Sequence, residues 1–123
     1  MIGYTTLGTN DLPKAVAYYD ELMKMIGAGR FMEDESFVAW AKSPDDCGFS
    51  VTKPFDGQAA TVGNGVMIAL HVENREQVHA FYDKAIELGG TDEGMPGPRG
   101  DSGFYCGYFR DLDGNKLNVF CMS

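Results

Sequence analysis

Few side chains in this 123-residue chain could do acid-base, nucleophilic or ligand-gripping chemistry. His71 ends an alternating apolar stretch and is a candidate general base, because imidazole titrates near pH ~6.5. A histidine at a strand end also reads as a rim residue with no chemistry. His79 falls in a helical stretch beside an apolar stripe and reads as a surface residue. Arg99, in P-G-P-R-G-D, is a candidate anion clamp on a mobile loop, since a guanidinium grips a carboxylate through two parallel hydrogen bonds. The plainer reading is a surface charge paired with Asp101. Arg110 precedes D-L-D-G-N and reads as an ion-pair partner of that turn. Trp40, Tyr105 and Tyr108 lie in predicted strands and could stack on a planar ligand, although core packing explains them equally well. Cys106 lies between the two tyrosines, and without a base beside it reads as a small buried thiol. Glu33-Asp34-Glu35 and Asp45-Asp46 fall at turns and read as solvated loop ends.

Two helices and eight short strands must position these groups. Asp11 as N-cap and Pro13 in the first turn open a helix over about 12–26, with apolar residues at 15, 18, 19, 22 and 25 and Gly27 to close it. Asn74 as N-cap, with Gln77 three residues on, opens a second over about 75–88, stopped by Gly89-Gly90. Shifting apolar positions 15, 18, 22 and 25 by 63 gives 78, 81, 85 and 88, those of the second helix. The same shift superposes Tyr19-Asp20 on Tyr82-Asp83. An internal repeat of half the chain follows, covering 1–60 and 61–123 within one domain. Each half places one strand before its helix and three after: about 2–8, 28–33, 37–41 and 49–53, then about 66–72, 91–95, 104–110 and 116–122. Asp113-Gly114-Asn115 marks a hairpin between the last two. The fold class is α+β, as βαβββ twice.

Alternation assigns faces. Val66, Ile68, Leu70 and Val72 form an aliphatic face expected to pack under a helix, which leaves Met67, Ala69 and His71 opposite. In the last strand Leu117, Val119 and Cys121 face the helix, and Asn118, Phe120 and Met122 face away. A sheet face carrying Asn, His, Met and aromatics is expected to border a half-polar cleft.

Composition excludes several classes. Eighteen Asp plus Glu against ten Lys plus Arg give a net charge of −8, so DNA, RNA and anionic membranes would be repelled. No apolar run reaches the ~18 residues of a membrane helix, and the start lacks a secretion-signal pattern. A cytoplasmic location is expected. Cys47, Cys106 and Cys121 form neither a closed disulfide set nor a C-x-x-C pair, and read as reduced, mostly buried thiols.

The opening G-Y-T-T-L-G-T-N-D-L, the A-F-Y-D-K-A-I-E-L-G-G helix, the P-G-P-R loop and F-Y-C-G-Y-F-R-D-L-D-G-N-K-L together resemble the vicinal oxygen chelate superfamily. This is the group of glyoxalases, bleomycin-resistance proteins and extradiol dioxygenases, and the chain looks most like its small lactoylglutathione-lyase-like members. The resemblance implies paired βαβββ modules forming a curved mixed-sheet cup, usually in a homodimer, with a divalent metal at the floor. It also implies where that metal's ligands would stand, which here are Tyr4, Met67 and Asn118 in place of the usual His, His and Glu. The repeat supports this register, because the same shift of 63 carries Tyr4 to Met67. A phenol, a thioether and a carboxamide suit Zn²⁺, Fe²⁺, Ni²⁺ or Mn²⁺ poorly, so no catalytic metal and no other cofactor is expected. A divalent metal would return only if this ligand reading were wrong.

Three classes of function remain. The first is a protein that binds a small, aromatic or oxygenated molecule through Tyr4, Met67, His71, Asn118, Trp40, Tyr105, Tyr108 and Arg99. The second is a metal-independent lyase or isomerase, or a dioxygenase-like enzyme, with Tyr4, His71 and Asn118 as acid, base and oxyanion donor. The third is an interaction module that kept the fold and lost the site. The expected partners are a small molecule and a second copy of the chain.

Overall fold

The structure is a computed structural model that describes residues 1–122. It divides into two compact units, Met1–Thr61 and Val62–Ser123, one residue from the boundary of the sequence repeat. The first contains β1 (Tyr4–Gly8), α1 (Leu12–Met25), β2 (Gly29–Glu33), β3 (Phe37–Ala41) and β4 (Gly48–Thr52). The second contains β5 (Ile68–His71), α2 (Arg75–Glu87), β6 (Thr91–Pro98), β7 (Phe104–Arg110) and β8 (Lys116–Met122). The sheets run β1-β4-β3-β2 and β5-β8-β7-β6. In each, the strand before the helix pairs in parallel with the last strand, and the other pairs are antiparallel.

The helix starts are built as their sequences require. The Asp11 carboxylate accepts the Lys14 backbone N–H, and the Asn74 side chain accepts that of Gln77 at 2.9 Å. Gln77 reaches back to the Glu73 N–H at 2.7 Å, which satisfies a second orphan donor. The turn between β7 and β8 is organised by Asp111, whose Oδ1 accepts the backbone N–H groups of Asp113 and Asn115 at 2.9 Å each. Gly114 there adopts φ +89°, a conformation that favours glycine.

Each helix buries its apolar stripe on its own sheet. In the first unit Tyr19 meets Phe49 at 4.7 Å between ring centroids and Trp40 at 6.0 Å, with Leu22 and Val51 fully enclosed. Burial of each such side chain contributes roughly 1.5–3 kcal/mol, which dominates the small intrinsic helix propensity of α1. In the second unit Val78, Phe81 and Ala85 pack against Phe109, Leu117, Val119 and Cys121.

One expectation is corrected. α2 lies on β6, β7 and β8 and not on β5, so the aliphatic face of β5 is not roofed by a helix. Val66 is exposed and outside the strand, Ile68 and Leu70 are half-buried, and only Val72 is enclosed. The cause is width: strands sit ~4.8 Å apart and a helix is ~10 Å across, so one helix covers about three strands of four.

Candidate ligand-binding face of the second unit

Strand alternation turns Cys106 and Tyr108 of β7, Asn118 and Phe120 of β8, and Ala69 and His71 of β5 to the face away from α2. Register makes Asn118 the direct neighbour of both Tyr108 and Ala69, while Phe120 stands between Cys106 and His71. Phe120 packs on His71 at 5.0 Å and on Phe104 at 5.3 Å between ring centroids, an aromatic row along one side.

Asn118 is 1% exposed, and its side-chain oxygen is buried without a hydrogen-bond partner. An unpaired buried acceptor costs about 1–3 kcal/mol. Its carboxamide and the Cys106 thiol both bear on the Tyr108 hydroxyl. The hydrogen bond to Cys106 and burial push the Tyr108 pKa above the usual tyrosine value, and Asn118 and Arg99 pull it the other way.

Tyr108 is bracketed by two cations. The Arg99 guanidinium carbon lies 5.6 Å from its ring centroid and the Lys116 ammonium 5.2 Å from it. Arg99 is not on a free loop, because β6 runs on to Pro98 and the Arg99 N–H donates to Phe104 O at 2.8 Å. Its guanidinium donates to the carbonyls of Met95 and Gly97 at 2.8 Å each. Gly94 makes room for this arrangement. At φ +156° it passes so close that a Cβ would stand 3.2 Å from the Tyr108 ring and 3.4 Å from an Arg99 nitrogen.

Beside Tyr108 lies a groove of about 630 Å³, lined by Val66, Met67, Tyr108, Arg110, Lys116 and the Gly63–Gly65 turn. Arg110 is committed elsewhere, to Glu93 at 2.5 Å and to the Gly114 carbonyl at 3.1 Å. The expected ion pair exists, but with β6 rather than with an acid of the β7–β8 turn.

The remaining expected site residues are placed differently. Trp40 is corrected from ligand stacker to core residue, because it faces α1, is 1% exposed and donates its indole N–H to Asp20 at 2.8 Å. Tyr105 faces α2, where its hydroxyl lies 2.6 Å from His79 Nε2 and Arg75 covers its ring at 4.5 Å. It stands on the opposite side of the sheet from Tyr108. Tyr4, first residue of β1, belongs to the first unit and is exposed. Cys106 and Cys121 are buried and Cys47 is exposed. Lys116 escaped the sequence reading, although it stands two residues before Asn118 and so on the same face.

The resemblance implies that the family's metal would be held at the positions of Tyr4, Met67 and Asn118, and a phenol, a thioether and a carboxamide are a poor donor set for it. First-row divalent metals want imidazole, thiolate or carboxylate. Among the described residues no three His, Cys, Asp or Glu side chains gather to replace them.

Paired βαβββ units of this topology define a glyoxalase-like fold. The family model described as Glyoxalase/Bleomycin resistance protein/Dioxygenase superfamily matches residues 1–119, and the chain belongs to that superfamily. A glyoxalase/bleomycin resistance protein from Albidiferax ferrireducens T118 is 35% identical, with a TM-score of 0.90 over 100% of this chain and 99% of that one. A lactoylglutathione lyase from Agrobacterium tumefaciens is 19% identical, with a TM-score of 0.71 over 98% and 92%. A genomically encoded fosfomycin resistance protein from Listeria monocytogenes is 17% identical, with a TM-score of 0.73 over 100% and 93%. The last two share the fold alone. No curated protein matches the chain.

Proposed function

We propose that the protein binds a small, planar, oxygenated molecule against the Tyr108–Asn118 face of its second unit, without a metal at the positions of Tyr4, Met67 and Asn118, and that it works as a homodimer. The observation that carries this reading is the buried Asn118 oxygen without a partner, on the strand position paired with Tyr108, which lines an open groove. A structural asparagine would have its acceptor satisfied within the fold. A binding residue keeps an acceptor free for a hydroxyl or N–H of the ligand, and the adjoining Met67 and Tyr108 surfaces suit a flat apolar body.

Native mass spectrometry of the untagged protein tests all three parts in one spectrum. The expected result is a metal-free dimer that carries a small molecule or takes one up on addition. A stoichiometric metal that is lost in Tyr4→Phe would overturn the metal-free reading and restore metal-dependent lyase or dioxygenase chemistry. A monomer would overturn the dimer.

A further inference from the structure

We infer that the ligand is an anion, an organic acid whose negative group meets Lys116 at the groove beside Tyr108 in the additional field of Arg99. This rests on the reading that the Tyr108–Asn118 face binds a small molecule.

Two cations without a carboxylate partner flank one side chain, Tyr108. Arg30 has Asp20 and Glu33, Lys84 has Glu87, and Arg110 has Glu93. Among the described residues neither Arg99 nor Lys116 makes an ion pair, although they approach the same ring from neighbouring strands on either side of β7.

The two cations are held differently. Arg99 is fixed by backbone carbonyls of its own strand, which satisfy several donors and leave its charge uncompensated. It therefore acts as a fixed positive charge beside the ring more than as a free clamp. Among the described residues the Lys116 side chain is held by no hydrogen bond or ion pair: its ammonium lies over the π face of Tyr108, and it lines the groove directly. A lysine ammonium has three donors, and a ring face satisfies none of them with a lone pair. A carboxylate, phosphonate or similar group entering there would gain charge-assisted hydrogen bonds from Lys116.

The test uses a pair of probes of nearly the same shape, anionic 4-hydroxybenzoate and neutral 4-hydroxybenzamide, which share the ring and the hydroxyl donor. Each is titrated into the full-length ¹⁵N-labelled protein while the backbone amides of Tyr108, Lys116 and Asn118 are followed by NMR. The acid is expected to bind on the order of tenfold more tightly than the amide, with the difference shrinking as salt is raised. In Lys116→Met the preference should vanish, and in Lys116→Arg it should return, with unchanged far-UV spectra showing that both variants fold. Equal binding of acid and amide would overturn the anion inference and leave the ligand-binding reading standing. No shift at these amides with either probe would overturn both.

Discussion

Ser50 and Asn118 hold equivalent places in the two units, and only Ser50 has its oxygen satisfied. Ser50 stands on β4 opposite Thr6, as Asn118 stands on β8 opposite Ala69, and the shift of 63 that relates the repeats carries Thr6 to Ala69. The Ser50 and Thr6 hydroxyls are 2.7 Å apart, and Ser50 donates to the Thr5 carbonyl at 2.9 Å. In the second unit the amide replaces the serine, and Ala69 leaves no hydroxyl where Thr6 has one. One repeat has thus closed its polar spot with a hydrogen bond while the other has kept it open.

Restoring the missing hydroxyl should close it. Ala69→Thr places an Oγ1 across from Asn118 as Thr6 stands across from Ser50, and one recovered hydrogen bond is worth about 1 kcal/mol. For a chain of this size we expect the unfolding midpoint to rise by roughly 3–5 °C. Ala69→Val is the control, because it has the shape without the oxygen. A calorimetric scan in which Val gains as much as Thr would show that Asn118 has no unmet need.

Gly94 should be indispensable to the seat of Arg99. A Cβ at this φ is strained, and it would also press on both the Tyr108 ring and the guanidinium. Gly94→Ala should cost about 1–3 kcal/mol of stability and shift the NMR resonances of Tyr108 and Arg99. Gly57→Ala, with a φ of +74° but nothing within 4 Å, supplies the comparison for backbone strain alone. Should both variants perturb the protein alike, the close approach at Gly94 carries no weight of its own.

Most of the fold was legible because it rests on short-range rules. The strands at 37–41, 104–110 and 116–122 coincide with β3, β7 and β8, and both N-caps make the hydrogen bonds their residue types foretell. β6 runs three residues past the expected end at Met95, because cross-strand pairing with β7 overrides the local turn signal of Pro96 and Gly97. Trp40 could not be assigned from alternation alone, which does not say which face of β3 meets the helix; its contacts with Tyr19 and Asp20 of α1 show which way the indole turns. The opposed placement of Tyr105 and Tyr108 was implicit in their odd spacing. The seat of Arg99 was invisible, since it depends on Gly94 of β6 passing close to Tyr108 of β7.

Acid should loosen the first unit through Asp20. Its carboxylate accepts from the Arg30 guanidinium and from the Trp40 indole, and the Arg30 hydrogen bond, with help from Trp40, holds its pKa below the usual aspartate value against the opposing effect of burial. A lowered folded pKa means the contribution is complete above the unfolded value near 3.8 and is lost as pH falls through the folded one. Asp20→Asn should lower stability at pH 7 by on the order of 1 kcal/mol once solvent screening is allowed for, and should flatten the pH dependence below 4. Trp40 is the only tryptophan, so its fluorescence reports this transition directly. An Asp20→Asn protein with an unaltered acid profile would remove the carboxylate from the account.

Alkali should loosen the second unit through Tyr82. This side chain is buried on α2 and donates its hydroxyl proton to Asp92 at 2.6 Å. Burial first, then the Asp92 hydrogen bond and charge, push its pKa up to about 12 from the model-peptide value of 10.0. The folded state therefore holds this proton more tightly than the unfolded chain does. The resulting stability is fully present below pH 10 and is lost as pH rises towards 12. Tyr82→Phe removes both the titration and the hydrogen bond, so it should be less stable than the wild type by about 1 kcal/mol at pH 7. That gap should narrow steadily between pH 10 and 12, measured by urea unfolding at fixed temperature. A gap that stays constant across the window would mean that Tyr82 ionises no later in the folded protein than in the unfolded chain.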